Sequence, residues 1–403
     1  MQTAVQPAIP STPAKVPFLY DPRVRGLFYQ VVLVAVVAFL LYAAATNAID
    51  NLRRAKIASG FGFLSTTAGF DISQTLIPFS AAGSTYGEAF IVGLLNTLVV
   101  AVIGVFFATI LGFVMGVARL SKNWIVSSLA TVYVEVLRNI PLLLQLLFWY
   151  IAVLTPLPAP RQSIDMGAGF LINSRGLFMP RPIFAGDAWA VGVVLVLGVV
   201  GALAFRTWAR RQQAQTGRQY PVGLTALGLV VVLPLLVWGL LALAGANPIT
   251  FDLPKKGTFN LTGGSQILPE FVALLLGLTI YTAAFIAEVV RAGILAVSRG
   301  QTEAASSLGL KPAQTLRLVV IPQAMRVIIP PLTSQYLNLT KNSSLAVAIG
   351  YPDLVQVFMG TVLNQTGQAI EVVAVTMGVY LTISLLTSLF MNIYNSRVAI
   401  VER

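Results

Sequence analysis

The chain has 403 residues, 57% of them hydrophobic and only 10% charged, with a formal net charge of +12 and a mean hydropathy of +0.82. Water-soluble domains carry about 25% charge to keep their surfaces wet, so a chain this apolar calls for lipid as its solvent. Cysteine and histidine are both absent, which excludes disulfide frameworks, thiolate chemistry, and the commonest general base and metal ligand.

In chain order, the first twenty residues are rich in Pro, Ala and Thr and read as part of a flexible tail over 1–27. Eight stretches then reach the roughly 20 apolar residues a spanning helix needs. They lie near 28–46, 88–118, 125–154, 188–206, 222–245, 268–298, 325–349 and 370–396. The first follows too long an N-terminal region to be a cleaved signal peptide and reads as a retained span. Within the third, Pro141 predicts a kink by removing one backbone donor. Pro330-Pro331 is expected to fix the entry of the seventh.

The excess of positive charge fits loops that hold a membrane topology better than nucleic-acid binding. An even number of spans puts both termini on one side. With the termini in the cytoplasm, the inner segments collect most of the Lys and Arg, including the acid-free Arg206 to Arg218 stretch. That bias predicts cytoplasmic termini.

Between the sixth and seventh spans, Thr302 and Glu303 can start a short helix and Gly309 can end it. Pro312 opens a second helix carrying Leu316, Val319 and Val320. Such a hairpin is either a docking element for a soluble partner or an ordinary linker, and periodicity alone leaves both open. Glu303-Ala304-Ala305, three residues, Gly309, nine residues and Val319-x-Ile321-Pro322 resembles the EAA signature of ABC-type import permeases, with Val319 and Ile321 as apolar exchanges. Gly93-Leu94-Leu95-Asn96-Thr97-Leu98, Arg138-Asn139-Ile140-Pro141-Leu142-Leu143 and Lys341-Asn342-Ser343-Ser344-Leu345 look like the polar amino-acid group of that family.

The resemblance is strongest to the enlarged permease subunit of general L-amino acid transporters. It implies an all-α integral membrane protein with a five-helix type I importer core and three extra spans, in the bacterial inner membrane. The coupling residues would be Glu303, Ala304, Ala305, Gly309, Leu310 and Pro322, on a helix from Glu303 to Leu318 seated in an ATPase cleft. Partners would be a cytoplasmic ABC ATPase dimer, a second and different permease subunit, and a periplasmic amino-acid-binding protein. This chain has no G-x-x-x-x-G-K-[ST] loop, so ATP and Mg belong to the ATPase and the permease itself catalyses nothing.

The division that follows is an extra span and outer loop over 28–87, a first core part over 88–154, and an insertion with two spans over 155–267. A second core part covers 268–398 with the coupling loop at 299–323, and a short tail covers 399–403. The insertion's proline-rich outer loops could meet a binding protein or simply connect helices.

Ionisable residues inside spans are costly unless paired or wet. Glu135 with Arg138 and Glu288 with Arg291 repeat one i, i+3 spacing, so each pair is expected to close on its own helix face. They either meet substrate or form structural ion pairs near the cytoplasmic side. In the seventh span Gln335, Asn338 and Asn342 form a polar stripe with Ser343 beside it, and Asn96 and Thr97 could face it from the second span. The stripe either lines the path or bonds across a subunit interface. Two alternatives to an ABC permease remain at this point, an ion-driven secondary transporter and an assembly subunit without a path. The EAA-like loop argues against both.

Overall fold

The computed structural model describes residues 22–54, 60–257 and 261–398. Most of the expected N-terminal tail and all of the C-terminal tail lie outside these residues. Among the described residues seven helices are long and apolar enough to cross a membrane, or eight when the broken third is taken as one span. They are α1 (Pro22–Arg54), α2 (Tyr86–Ala118), α3 (Trp124–Asn139) with α4 (Leu142–Leu154), α5 (Ala188–Thr216), α6 (Val222–Leu243) and α7 (Pro269–Leu295). After the short α8 (Arg299–Ser307) come α9 (Pro312–Ile349), α10 (Val355–Val362, continued by Leu363–Thr366) and α11 (Ala369–Val398).

Local chemistry sets several boundaries. Thr85 accepts from the Glu88 N–H at 3.2 Å while the Glu88 carboxylate accepts from the Thr85 N–H at 3.0 Å, a reciprocal cap that starts α2. Asn123 caps α3 through the N–H groups of Ile125 and Val126. Proline at the start of α7 loses only a donor that a helix's first turn leaves unused.

The core is the crossing of α2 and α7, with α9, α3 and α4 packed around α7. Lipid tails are as apolar as leucine, so close van der Waals fit rather than water exclusion holds such helices together. Gly112 and Gly116 put a small-residue face of α2 on α7. A Cβ at Gly116 would stand 2.7 Å from the Ala287 carbonyl oxygen and 2.8 Å from the Val290 Cβ. By contrast α5 and α6 pair with each other but bury only 6% of their apolar windows, and α1 buries none.

Four expectations change in detail. The kink at Pro141 is a break: α3 and α4 meet at 107°. Ile140 is extended because the proline ring disfavours a helical residue before it. The Gln145 amide then donates to the carbonyls of Leu137 at 2.9 Å and Ile140 at 3.0 Å, satisfying the broken end. The basic Arg206–Arg211 stretch is helical, because α5 runs to Thr216 and stops at left-handed Gly217. The second helix of the α8 hairpin is not separate, since α9 runs from Pro312 through the whole seventh span. Consequently Pro330 and Pro331 sit inside that helix rather than at its entry.

The helical class holds, and the insertion adds strands that its sequence does not announce. β1 (Ile164–Gly167), β2 (Phe170–Asn173), β3 (Gly176–Met179) and β8 (Ser265–Ile267) form an antiparallel sheet in that order. β4 (Arg181–Phe184) pairs with β5 (Ile249–Asp252), and β6 (Lys255–Lys256) with β7 (Leu261–Thr262). This small β unit sits where α7 begins, at the opposite end of the bundle from α8.

Candidate functional site

At the α8 end, Leu295 of α7 and Arg299 of α8 are separated by three residues. Ala305 is buried against the first turns of α9 while Glu303 and Ala304 are exposed. Gly309 turns the chain at φ +76°, a conformation that costs an L side chain about 1–2 kcal/mol. Its N–H donates to the Ser306 carbonyl at 2.9 Å, and the Leu310 N–H reaches Ala305 at 3.2 Å, ending α8. Pro312 then opens α9, and the Gln323 amide donates to Gln301 at 3.1 Å across the hairpin. Pro322 follows on the exposed side of α9. A helix from Glu303 to Leu318 is therefore corrected to two helices around a corner. The corner presents Leu308, a large apolar side chain, at 82% exposure.

The charges expected within the spans converge on Glu288. Arg291 donates to its Oε1 at 2.7 Å as the i, i+3 spacing predicts, and Arg119 from the end of α2 donates to its Oε2. Arg138 of α3 stands 3.8 Å from the same carboxylate and lies over the Phe285 ring at 5.3 Å. Glu135 instead reaches Arg119, at 3.5 Å, with a side chain 55% exposed. The second expected pair, Glu135 with Arg138, thus does not close: α3 turns Arg138 toward α7 and leaves Glu135 outward. Arg119, which no motif in the sequence singles out, is the residue that joins α3 to α7. Three guanidinium groups around two carboxylates leave this cluster one positive charge in excess.

Toward the other end, Asn96 and Thr97 are fully buried. The Asn96 amide donates to the carbonyls of Gln74 and Pro352, each at 2.9 Å. Thr97 donates to the Gly93 carbonyl at 3.0 Å and accepts from the Leu354 N–H at 3.0 Å. Both therefore tie α2 to the loop between α9 and α10 instead of facing the α9 stripe. In that loop Asp353, also fully buried, accepts from the Gln356 N–H at 2.8 Å and caps α10, with the Tyr380 hydroxyl at 3.3 Å. No motif in the sequence singles out Asp353. Its cap is written locally in the following turn, its burial only in the tertiary fold.

Of the α9 stripe, Asn338 is exposed and Gln335 and Asn342 are half-buried; Ser343 is buried and donates to the Thr340 carbonyl at 2.7 Å. A recess of about 490 Å³ lies one turn further on, lined by Lys341, Ser344, Thr376, Tyr380 and Ser384 among apolar neighbours. The Ser344, Thr376 and Tyr380 hydroxyls donate to Lys341, Val372 and Asp353 within the chain, so the wall is mostly apolar with one ammonium on it. Among the described residues no cluster of His, Cys, Asp or Glu could hold a metal ion.

A bundle of crossing spans, with a reversed helical corner between two of them and a polar stripe along one, is the architecture of a membrane permease subunit. The chain belongs to the binding-protein-dependent transport system inner membrane components, whose family model matches residues 222–400, and within them to the amino-acid ABC permeases. It is 54% identical to the general L-amino acid transport system permease protein AapQ of Rhizobium johnstonii, over 96% of this chain and 95% of that one. It is 50% identical to the putative amino-acid ABC transporter permease protein YhdX of Escherichia coli, over 95% and 96%. It is 42% identical to the glutamate/glutamine/aspartate/asparagine transport system permease protein BztB of Rhodobacter capsulatus, over 98% and 100%. A solved amino acid ABC transporter with histidines matches at 22% identity and a TM-score of 0.46, covering 77% of this chain and 95% of that one.

Proposed function

We propose that this subunit carries polar L-amino acids across the bacterial inner membrane, driven by ATP hydrolysis in a separate ABC ATPase that binds the α8 corner. The observation that carries the reading is that corner itself: an exposed apolar tip, Leu308, set between α7 and α9 with three residues of slack on one side and four on the other. Short connections transmit a push, whereas a long linker would absorb it. Glu303, Ala304, Ala305, Gly309, Leu310 and Pro322 form the corner, which lies in the cytoplasm together with both termini.

Gln335, Asn338, Asn342 and the recess near Lys341 line the path, and Asn96, Thr97 and Ser343 hold the loop and turn that bound it. The Glu288 cluster is a structural clasp next to the corner, because its carboxylate is already occupied by protein cations. A second, different permease completes the pore, and a periplasmic binding protein delivers the amino acid; ATP and Mg bind the ATPase. The units 28–87, 88–154, 155–267 and 268–398 serve as extra span, first core part, insertion and second core part.

The test is reconstitution. Co-purification with an ATPase whose hydrolysis rises on adding a binding protein and an amino acid supports the reading. Uptake by this chain alone in liposomes under an ion gradient overturns it in favour of a secondary transporter.

A further inference from the structure

The β4–β5 ribbon has two chemically different faces. Antiparallel partners point to the same side of a ribbon. The pairing Pro182 with Phe251 and Phe184 with Ile249 makes one face wholly apolar. The pairing Arg181 with Asp252 and Ile183 with Thr250 makes the other mostly polar. In water this apolar face would be a liability, because Phe184 is 68% exposed and Phe251 55%.

Its position resolves the difficulty. Ile249 and Phe251 share a wholly apolar crevice of about 170 Å³ with Val191 of α5 and Pro234, Leu235 and Trp238 of α6. A crevice that small brings its lining residues within several ångströms of one another. Trp238 and Pro234 lie five and nine residues before the end of α6 at Leu243, or roughly 7 and 13 Å along the axis at about 1.5 Å per residue. The 22 residues of α6 reach roughly 33 Å, little more than the hydrocarbon thickness of about 30 Å. The ribbon's side chains therefore reach back beside the helix to a level below its end. The outer turns of both helices are bare on this side: Trp189 is 69% exposed and Leu243 87%. Arg181, Lys255 and Lys256 stand on or just beyond the ribbon, all exposed, with Asp252 half-buried among them.

We infer that the β4–β5 ribbon is a membrane anchor whose apolar face, Pro182, Phe184, Ile249 and Phe251, lies in the acyl region of the leaflet at that end of the α5–α6 hairpin. The occupant is phospholipid. Continuity with two lipid-facing spans argues for it, as do the aromatic side chains and the flanking cations that suit headgroup phosphates. Both edges of the two-stranded ribbon are open, so its outward backbone groups stay at headgroup level, where water reaches them, while the side chains of the apolar face dip into the acyl layer.

The chain has no cysteine, so with cysteine-free partner subunits single substitutions report one site each. In the complete transporter, reconstituted in nanodiscs of phosphatidylethanolamine and phosphatidylglycerol, Phe184→Cys and Phe251→Cys are spin-labelled and compared with Arg181→Cys and Thr250→Cys. Pro182→Cys substitutes for either apolar-face variant that fails to fold. The expected result is several-fold higher oxygen than nickel-chelate accessibility on the apolar face and the reverse on the polar face. Equal nickel accessibility on both faces places the ribbon in water and overturns the inference. Shielding of the apolar-face labels from both reagents assigns the face to a protein subunit and overturns it too. Neither outcome depends on which solute is transported.

Discussion

The backbone N–H of Leu354 donates to the hydroxyl of Thr97 at 3.0 Å, across 257 residues of sequence. With the Asn96 bond to Pro352, it makes the loop after α9 a fixed part of α2. Thr97→Val keeps the volume and deletes the acceptor, stranding a buried donor at a cost of about 1–3 kcal/mol. The expected outcome is a lower melting temperature of the purified subunit and faster amide exchange over residues 350–356, with Thr97→Ser close to wild type. Unchanged exchange in the valine variant would show that the bond holds nothing.

Glu288 and Glu135 test whether position or mere charge matters in the ion cluster. Glu288→Gln leaves Arg119, Arg138 and Arg291 facing one another at 9%, 34% and 33% side-chain exposure. Removing the shared carboxylate, itself 27% exposed, costs about 1–3 kcal/mol, less than for a fully buried pair. Glu135→Gln removes a mostly exposed carboxylate, where about 1 kcal/mol or less is at stake. Thermal unfolding should therefore separate them clearly, with Glu288→Gln lower. Equal melting temperatures would dissolve the clasp as a unit.

Gly116→Leu should prevent α2 from seating on α7, since even a Cβ meets the Ala287 carbonyl. Gly223→Leu, in open space at the start of α6, is the matched control. Size-exclusion profiles in mild detergent should show aggregation for the first and a single sharp peak for the second.

Gly309→Asp introduces strain of only about 1–2 kcal/mol, and nothing lies within 4 Å of the new Cβ. The subunit should still insert and keep its melting temperature within a few degrees, while its co-purification with the ATPase is lost. Retained co-purification would remove the corner from the docking surface.

Asn338→Leu replaces an exposed amide on the α9 stripe and should leave assembly intact. Substrate-stimulated hydrolysis should fall several-fold. Wild-type stimulation would give the stripe to a subunit interface.

The sequence makes the spans legible because twenty apolar residues have few other uses, and the corner legible because a glycine and a proline punctuate it. Glu288 with Arg291 is legible for the same local reason. Glu135 with Arg138 has identical spacing but a different fate, decided by how α3 rotates against α7, which no i, i+3 rule encodes. Arg119 joins the cluster only through the crossing of α2 and α7. Pro141 announces a bend, whereas its 107° angle rests on Gln145 capping carbonyls behind it. The insertion's strands are four residues or fewer, too short for an alternating pattern to rise above its prolines and glycines.

Pro330 and Pro331 lie inside α9 and bring no N–H, so the carbonyls of Arg326 and Val327 have no partner one turn ahead. A helix normally resists flexing because bending stretches its ladder; here two adjacent rungs are already missing. The angle between the α8 corner and the loop locked to Thr97 can then change without severing any backbone bond at this point. The chain thus keeps a soft joint halfway between its α8 corner and its latch.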